Sequence, residues 1–374
     1  MAPRSSRAPR KGTLASLAAD LGVSRTTVSN AYNHPDQLST ALRTKILAAA
    51  EARGYPGPDP AARSLRTRRV GSIGVLLTEQ LSYAFEDHAS VDFLAGLAES
   101  SYGTENSLTL VPVGSGDDLA AGPELIHRAV VDGFIVYSVA ADDPNLDAVR
   151  SRGVPMVVCD QPYDTDLPYV GIDDAAAITP AAEALVHAGH RRIGVLAKRL
   201  TRIRHDGPVD GHLLDDATLH VQRGRITGAL DVFAAAGIDP AGVPVVARHH
   251  NDHATAVDAA RELLTAHPDL TAVLCTTDSM AFGVLAYARS QGKSVPRDLS
   301  VTGFDGVELA RTRGLTTVAQ PNKAKGAAAG AMLGELIDAH AADRPIPLKT
   351  PRKILPTSFL PGATVANPAP GREI

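Results

Sequence analysis

Between residues 12 and 56, apolar and polar positions alternate with the period of an α-helix. One group of apolar residues lies at i, i+3, i+4 and i+7, on a single helical face: Leu14, Leu17, Ala18 and Leu21. Thr13 can cap this helix and Gly22 can end it, because glycine accepts the left-handed conformation of a tight turn. Ser24 can cap a second helix whose buried face includes Val28. The pattern predicts a helix-turn-helix.

A third helix is predicted to begin after a cap at Ser39 or Thr40 and to end at Gly54. Its apolar residues would cover the first two helices and complete a small all-α core: Leu42, Ile46, Ala49 and Ala50. Residues 57–69 follow as a proline-containing linker. Ala61 to Arg66 can form a short helix, but so few residues do not hold a helix in free water. We expect the linker to order only against a partner.

From Val70 onward, short apolar runs alternate with longer amphipathic stretches, which indicates repeated βα units. The predicted strands are Ser72–Leu77, Ser107–Val113, Phe134–Val139, Val154–Asp160, Arg192–Ala197, Pro244–Arg248, Ala272–Thr276 and Leu299–Gly303. The predicted helices are Val91–Tyr102, Pro123–Val131, Asn145–Ser151, Asp174–His187, Arg225–Ala236, Thr255–Ala266 and Ser279–Ser290. Two successive sets of this kind predict an α/β core of two doubly wound parallel-sheet subdomains, with a ligand cleft at the carboxyl ends of the strands.

Charge is distributed unevenly along the 374 residues. Residues 1–70 hold twelve Lys and Arg against four Asp and Glu, a net charge of +8, which leaves −12 for the remainder of a chain with net charge −4. A basic head on an acidic body is typical of a nucleic-acid reader attached to another domain. The start of the chain lacks a secretory signal, and no apolar run is long enough to span a membrane, so we expect a cytoplasmic, nucleoid-associated protein without a membrane partner.

The outward face of the second helix carries side chains that can read base edges in a major groove, where Arg pairs with guanine and Asn with adenine. The segment from Thr13 to Asn33 also resembles the DNA-binding headpiece of the LacI/GalR family of transcription regulators. The residues that match that family's signature are Ala18, Gly22, Val23, Ser24, Thr27, Val28, Ser29 and Asn33. The resemblance extends over roughly residues 12–365 and implies a periplasmic binding protein-like (type I) core.

The resemblance also implies residue roles in DNA binding. Ala62, Arg63 and Leu65 match the family's hinge helix, in which the leucine wedges between central base pairs of the minor groove. The full predicted DNA-binding set is Thr13, Ser24, Arg25, Thr26, Thr27, Ser29, Asn30, Asn33, Tyr55, Ala62, Arg63 and Leu65. We expect a homodimeric repressor on a near-palindromic double-stranded operator.

Predicted effector contacts are assigned where family motifs match. Asp160 ends a strand, Arg225 lies in an R-x-x-G pattern, and Phe85 and His253 fall where relatives place apolar or stacking side chains. The full predicted set is Phe85, Asp160, Arg225, His253, Asp305 and Gln320. A guanidinium and carboxylates that surround vicinal hydroxyls favour a carbohydrate effector.

The expected domain limits are a disordered basic arm at 1–11, the headpiece at 12–56, the linker at 57–69 and the core at 70–374. Within the core, the family fold implies an N-subdomain of about 70–166 and 322–346 and a C-subdomain of about 167–321 and 347–365. The connection 198–224 is longer and more charged than is usual in the family, so we expect a lid or an additional ligand contact there through Arg202, Arg204, His205 or His212.

Other functional classes find little support in the sequence. Cys159 and Cys275 lie far apart in apolar surroundings, and no HExxH, Walker A, GxSxG or GxGxxG motif is present. We therefore expect no catalytic residues, metal or cofactor. The alternatives that stay open are a non-regulatory cytoplasmic sugar-binding protein and, less favoured, a sugar-processing enzyme.

Overall fold

The computed structural model describes residues 12–58, 64, 68–78, 81–101, 106–114, 121–344 and 350–368, without the side chains of residues 81–83 and 101. The predicted arm at 1–11 and most of the predicted linker, including Ala62, Arg63 and Leu65, therefore lie outside the described residues. The chain divides after Val70 into two compact units.

The first unit contains three α-helices among its described residues: α1 (Leu14–Leu21), α2 (Arg25–Asn33) and α3 (Thr40–Ala52). Their predicted caps are present, because the side chains of Thr13, Ser24 and Ser39 each accept a hydrogen bond from a backbone N–H of the following turn. Gly22 ends α1 with a φ of 64°. The helices meet around fully buried side chains that include Leu17, Val28 and Ile46. This is the predicted helix-turn-helix.

The second unit begins with a sheet of six described strands, numbered here along the chain: β1 (Ser72–Leu77), β2 (Ser107–Pro112), β3 (Gly133–Tyr137), β4 (Met156–Cys159), β5 (Tyr169–Gly171) and β12 (Arg352–Ile354). All neighbours are parallel, in the order β12-β5-β4-β3-β1-β2. Its helices are α4 (Leu81–Glu86), α5 (His88–Ser101), α6 (Gly122–Arg128), α7 (Pro144–Ser151) and α14 (Asn322–Ala341). Apolar clusters bury both faces, as expected of a parallel sheet.

The second sheet has seven described strands: β6 (Ile193–Lys198), β7 (Gly207–Pro208), β8 (Val245–Arg248), β9 (Ala272–Cys275), β10 (Ser300–Asp305), β11 (Thr316–Ala319) and β13 (Ser358–Leu360). Their order is β13-β11-β10-β9-β6-β8-β7, and the two edge strands run antiparallel to their neighbours. The accompanying helices are α8 (Asp174–His187), α9 (Gly211–Asp215), α10 (His220–Ala235), α11 (His253–Ala266), α12 (Asp278–Ser290) and α13 (Glu308–Thr312).

The chain crosses between the two sheets three times within the described residues. The first crossing lies at 172–173, after β5 and before α8, because β5 still pairs with β4. The second lies at 320–322, between β11 and α14, and the third at 355–357, between β12 and β13. The first and third therefore lie several residues beyond the expected positions near 166 and 347, since three-residue strands leave no long apolar run in the sequence.

Two glycines allow α5 and α14 to pack with their backbones almost in contact. A Cβ at Gly96 would lie 1.9 Å from the carbonyl oxygen of Lys323, and one at Gly326 would lie 2.1 Å from that of Phe93. No side chain fits at either position without separating the helices. This close packing fixes the start of α14 beside the carboxyl ends of the first sheet.

The long connection at 198–224 is ordered and contacts both subdomains. Its β7 extends the second sheet, and Asp210 caps α9. On its other side Arg202 donates to the carbonyl of Asp142 in the first subdomain, and the amide of Ala141 donates to the carbonyl of Thr218. The connection thus links the two subdomains at one end of the cleft between them.

Candidate functional site

A cleft lies between the two subdomains, at the carboxyl ends of the strands. Four residues of the predicted effector set line it: Asp160, Arg225, Asp305 and Gln320. Asp160 follows β4, Asp305 ends β10 and Gln320 follows β11, while Arg225 projects from α10. The topology therefore brings together side chains that are up to 160 positions apart in the chain.

Three residues of this cleft have left-handed backbone conformations although none is glycine. Their φ values are 55° at Ser138, 67° at Asp160 and 124° at Asp305, and each lies at the carboxyl end of a strand. Such conformations cost about 1–3 kcal/mol each and persist where the surrounding structure holds them, often at ligand sites. The strain at these three strand ends is independent support for a ligand site in the cleft.

Arg225 is the best-anchored cation of the cleft. Its Nε donates to Asp174 Oδ1 at 2.8 Å, its Nη1 donates to the carbonyl of Thr276 at 2.8 Å, and its guanidinium lies 3.8 Å from the ring centroid of Phe304. Burial lowers the pKa of Arg225, but Asp174 and Asp305 outweigh it and raise that pKa above its usual value. Burial also raises the pKa of Asp174 to about 6 against the pull of Arg225. The guanidinium is thus held rigidly as a permanent charge.

Asp278 and Asp305 form a buried carboxylate pair beside Arg225. The amide of Asp278 donates to Asp305 Oδ2 at 3.4 Å, while Asp278 accepts hydrogen bonds from Thr317 Oγ1 and from the amide of Val307. Burial and the neighbouring Asp305 raise the pKa of Asp278 to about 8. Burial also raises the pKa of Asp305, against the effect of Arg225. The pair therefore holds a proton near neutral pH, since two close carboxylates do not readily ionise together.

The sequence did not reveal Lys325, which reaches the same place from the first turn of α14. Its Nζ donates to both carboxylate oxygens of Asp160, at 2.8 and 2.9 Å, and to Gln320 Oε1 at 2.8 Å. Gln320 in turn donates from Nε2 to Asp305 Oδ1 at 2.6 Å. Lys325 lies in an Ala- and Gly-rich stretch that matches no motif, so it could be found only from the fold.

Three polar side chains that line the cleft were also not predicted. Gln161 Oε1 accepts a hydrogen bond from the amide of Val221, and this hydrogen bond joins the two subdomains. Gln222 accepts a hydrogen bond from Thr276 Oγ1. Asn251 accepts one from Thr277 Oγ1. A usable signal existed for Gln161 and Asn251, because each lies just beyond the carboxyl end of a strand, where side chains face the ligand in parallel sheets.

The remaining two predicted effector residues lie away from the centre of the cleft. His253 begins α11 and lines a second cavity of about 300 Å³ that shares Asp87, Asn251 and Asp305 with the cleft. Phe85 lies on α4 with 58% of its surface exposed, outside the residues that line the cleft. His253 therefore lines a cavity that adjoins the cleft, and Phe85 is not among the residues that line the cleft.

The second helix of the first unit presents a polar face. Arg25 and Thr26 are exposed, whereas Ser24 and Thr27 share hydrogen bonds at the start of the helix. The other predicted base readers have local partners as well: Asn30 donates to Gln37, Asn33 donates to Ser29, and Tyr55 packs edge-on against Tyr32. Among the predicted DNA contacts in the described residues, Arg25 and Thr26 are therefore exposed, as are Thr13 and Ser24.

Residues 182–365 match the family model that is described as a periplasmic binding protein-like domain. The HTH-type transcriptional regulator IpsA of Corynebacterium glutamicum is 54% identical over 363 residues, which cover 96% of this chain and 99% of the relative. A LacI-family transcriptional regulator of the same species has a crystal structure that aligns with a TM-score of 0.73 at 50% identity, over 96% of this chain and 100% of that chain. The chain belongs to the LacI family of transcriptional regulators.

More distant LacI-family structures share the architecture. A complex of the regulator CelR with cellobiose aligns with a TM-score of 0.67 at 26% identity, over 94% of this chain and 99% of that one. The lac repressor dimer bound to operator aligns with a TM-score of 0.74 at 23% identity, over 96% of this chain and 100% of that one, a likeness in fold. The predicted family, the predicted fold and the assignment to regulators rather than enzymes are confirmed.

Within the described part of this LacI-family chain, no helix is long and apolar enough to cross a membrane. The same residues contain no cluster of three or more His, Cys, Asp or Glu side chains arranged to hold a metal ion. Cys159 and Cys275 are both buried free thiols.

Proposed function

We propose that this protein is a homodimeric repressor of the LacI family whose affinity for a near-palindromic operator changes when a neutral, polyhydroxylated effector binds in the cleft. The effector side of the proposal rests on one observation: both sheets end in hydrogen-bonding side chains that converge on the same cleft. Sugars offer donors and acceptors in many directions, and amides, carboxylates and a guanidinium complement them. Because the target is the chromosome, we place the protein in the cytoplasm, at the nucleoid.

The charges that line the cleft balance, which suits a neutral ligand: Asp87, Asp160 and Asp305 lie with Lys198, Arg199 and Arg225. Asp160 and Asp305 line the cleft, and two further buried or nearly buried carboxylates, Asp174 and Asp278, begin the neighbouring helices α8 and α12. Arg225 and Lys325 are both paired with these carboxylates, and Lys198 and Arg199 also line the cleft. A phosphate placed here would lie beside carboxylates as well as cations, so its charge would gain no net attraction from the lining. The relative CelR has been solved with cellobiose, a neutral sugar.

The DNA side of the proposal rests on α2. Its exposed Arg25 and Thr26 lie at the start of the helix, the part of a recognition helix that contacts base edges in helix-turn-helix proteins. Ser24 caps the helix directly before these two residues and fixes the orientation of the first turn. The lac repressor, which shares the fold, was solved as a dimer on its operator, and a dimer of this chain would present two such helices to two half-sites.

The effector is tested by thermal melting of the full-length protein with D-ribose, D-glucose and cellobiose, and with ribose 5-phosphate and glucose 6-phosphate, each at millimolar concentration. A ligand present at 100 times its Kd stabilises by about 2.7 kcal/mol, which a melting curve resolves. We expect stabilisation by a neutral compound and none by the phosphate of the same sugar. Stabilisation by the phosphates alone would contradict the assignment.

DNA binding is tested on duplexes selected by the protein from a random pool. We expect affinity to fall steeply with added salt, and the effector to change it by about 1–3 kcal/mol of coupling free energy. By reciprocity, the selected duplex should change effector affinity by the same factor. Absent or salt-insensitive duplex binding would instead support the alternative of a sugar-binding protein without a regulatory role.

A further inference from the structure

Lys325 is a buried cation whose position in α14 brings no benefit to the helix itself. The side chain is 1% exposed and lies in the first turn, where the helix dipole disfavours positive charge. That turn contains no acidic residue to compensate. Burying an ion pair costs desolvation that an apolar pair would avoid, so such a pair is weak evidence of a role in stability. Its role should be sought in what the ammonium group holds.

The ammonium group holds two residues of the cleft at once. An ammonium has three hydrogens, and Lys325 Nζ has three acceptors within 2.9 Å, namely both oxygens of Asp160 and Oε1 of Gln320. Asp160 belongs to the first subdomain and has a strained backbone. Gln320 lies in the second crossing between the subdomains. Because Oε1 faces Lys325, the amide nitrogen of Gln320 is directed at Asp305.

These contacts continue into the second subdomain without interruption. Gln320 donates to Asp305 through its side chain at 2.6 Å and through its backbone amide at 3.2 Å. Asp305 lies 3.6 Å from Arg225, which is fixed to Asp174. The result is a polar chain from Asp160 to Asp174 that crosses the boundary between the subdomains and follows the floor of the cleft.

We infer that Lys325 is a positioning residue of the effector cleft. It fixes the carboxylate of Asp160 and the amide orientation of Gln320, and through Gln320 it ties the ligand-facing side of the first subdomain to Asp305 in the second. The inference rests on the proposed function, because it assigns these carboxylates to the effector. A change in the angle between the subdomains must alter this chain, so Lys325 connects effector contact with subdomain geometry.

The close packing of α5 and α14 explains why the connection is stiff. Gly326 follows Lys325 directly and brings the helix backbone against the carbonyl of Phe93. The Cα of Lys325 is therefore fixed relative to the first sheet, and its Nζ cannot follow Gln320 if the second subdomain moves away. Closing and opening of the cleft should make and break the contact between Lys325 and Gln320.

The test uses full-length Lys325→Met, which retains most of the volume and removes the charge, and hydrogen–deuterium exchange without any ligand. Lys323→Met is the matched control, since Lys323 is exposed on the same turn. We expect Lys325→Met to speed exchange roughly tenfold or more in peptides that contain residues 158–161, 303–306 and 318–321, with α5 and α14 as protected as in wild type. Lys323→Met should change none of them.

Two results of this experiment would overturn the inference. Faster exchange along the whole of α5 and α14 would show that Lys325 only docks the helix. Faster exchange confined to residues 158–161 would show that nothing is relayed to the second subdomain.

A double variant, Asp160→Asn with Lys325→Met, removes both charges and so leaves no unpaired buried ion. We expect its melting temperature to recover towards wild type while exchange at residues 303–306 stays fast, because Met cannot hold Gln320. Return of that exchange to the wild-type rate would show that the single variant acted through an unpaired carboxylate, and would refute the positioning role.

A binding arm separates this inference from the proposed function. The probes are D-ribose, D-glucose and cellobiose. For any of these sugars that stabilises the wild type, Lys325→Met should raise the Kd at least about fivefold. An equal Kd for the two proteins would overturn the inference. If no probe stabilises wild type, the proposed effector class fails, whereas the ligand-free exchange result still decides the role of Lys325.

Discussion

The buried pair of Asp278 and Asp305 should make the stability of the protein fall as pH rises towards 8, and Asp278→Asn should remove the part of that dependence that Asp278 contributes. Asparagine has the shape of a protonated aspartic acid. Its carbonyl can accept from the amide of Val307 and its amide can donate to the hydroxyl of Thr317, the two groups that now contact Asp278. The substitution therefore replaces one titrating group while it preserves the packing.

The magnitude follows from the difference between the folded and unfolded pKa of Asp278. Burial and Asp305 raise that pKa to about 8 in the folded protein, from an ordinary value of 3.8. The folded state thus binds a proton that the unfolded state has released, and the associated stability is complete below pH 4 and is lost as pH rises through 8. Within this window the free energy of unfolding falls by up to about 1.4 kcal/mol per pH unit.

Two histidines, the buried His190 and the half-buried His220, act in the opposite direction. Burial lowers the pKa of His190 and of His220, so each histidine binds a proton less readily in the folded protein and adds stability as pH rises through about 6.5. These contributions are common to wild type and Asp278→Asn and cancel in the difference between them. The informative quantity is therefore the difference between the two proteins at each pH.

The assay is urea unfolding of both proteins at pH 6, 7 and 8. Far-ultraviolet circular dichroism is the suitable signal, because the chain contains no tryptophan. We expect the stability of Asp278→Asn relative to wild type to increase with pH, by roughly 1–3 kcal/mol over the two units. A constant difference between the two proteins across this range would show that Asp278 is ionised near neutral pH and would refute the reasoning.

Three further predictions concern the effector, the operator and the fold. Arg225→Ala should abolish stabilisation by sugar and lower the free energy of unfolding by about 3–5 kcal/mol, because it leaves buried carboxylates unpaired, while binding of the selected duplex persists; an unchanged sugar dose response would exclude Arg225 from the site. Leu65→Ala should weaken binding to the selected duplex far more than to random DNA, and equal losses in a salt-matched titration would argue against the hinge. Gly326→Ala should destabilise by about 1–3 kcal/mol in chemical unfolding, because its Cβ would lie 2.1 Å from the carbonyl of Phe93. Gly334→Ala, in the same helix with nothing within 4 Å, should instead stabilise by up to about 1 kcal/mol, and equal effects of the two would show that propensity rather than packing decides.

The elements with strong local signals were predictable from the sequence. Thr13, Ser24 and Gly22 are recognised by their side chains alone, and each performs the predicted capping role. Helix α8 was predicted with its observed bounds, since its apolar periodicity begins just after an aspartate cap. Residues that are close together in the chain determine such elements, and the tertiary contacts agree with them.

The elements that depend on distant partners were missed. Helix α14 is the clearest case: it is the longest described helix, yet its small residues give a weak periodic signal, and its packing depends on a close approach to α5. Four of the six predicted effector residues line the cleft, and three of these four lie at strand ends. Phe85 does not line it, and Lys325 was not predicted, because a lysine among alanines is indistinguishable from a solvent-exposed one until the fold is known.

The three crossings between the sheets also determine the order in which the protein can be completed during synthesis. The first subdomain begins at β1 but receives α14 and β12 only after the whole of the second sheet except β13 has been made. A nascent chain that has just left β5 therefore has an apolar sheet face without its covering helix. The second subdomain, nearly continuous from α8 to β11, can form first, so chaperone dependence should be greatest for chains stalled before residue 322.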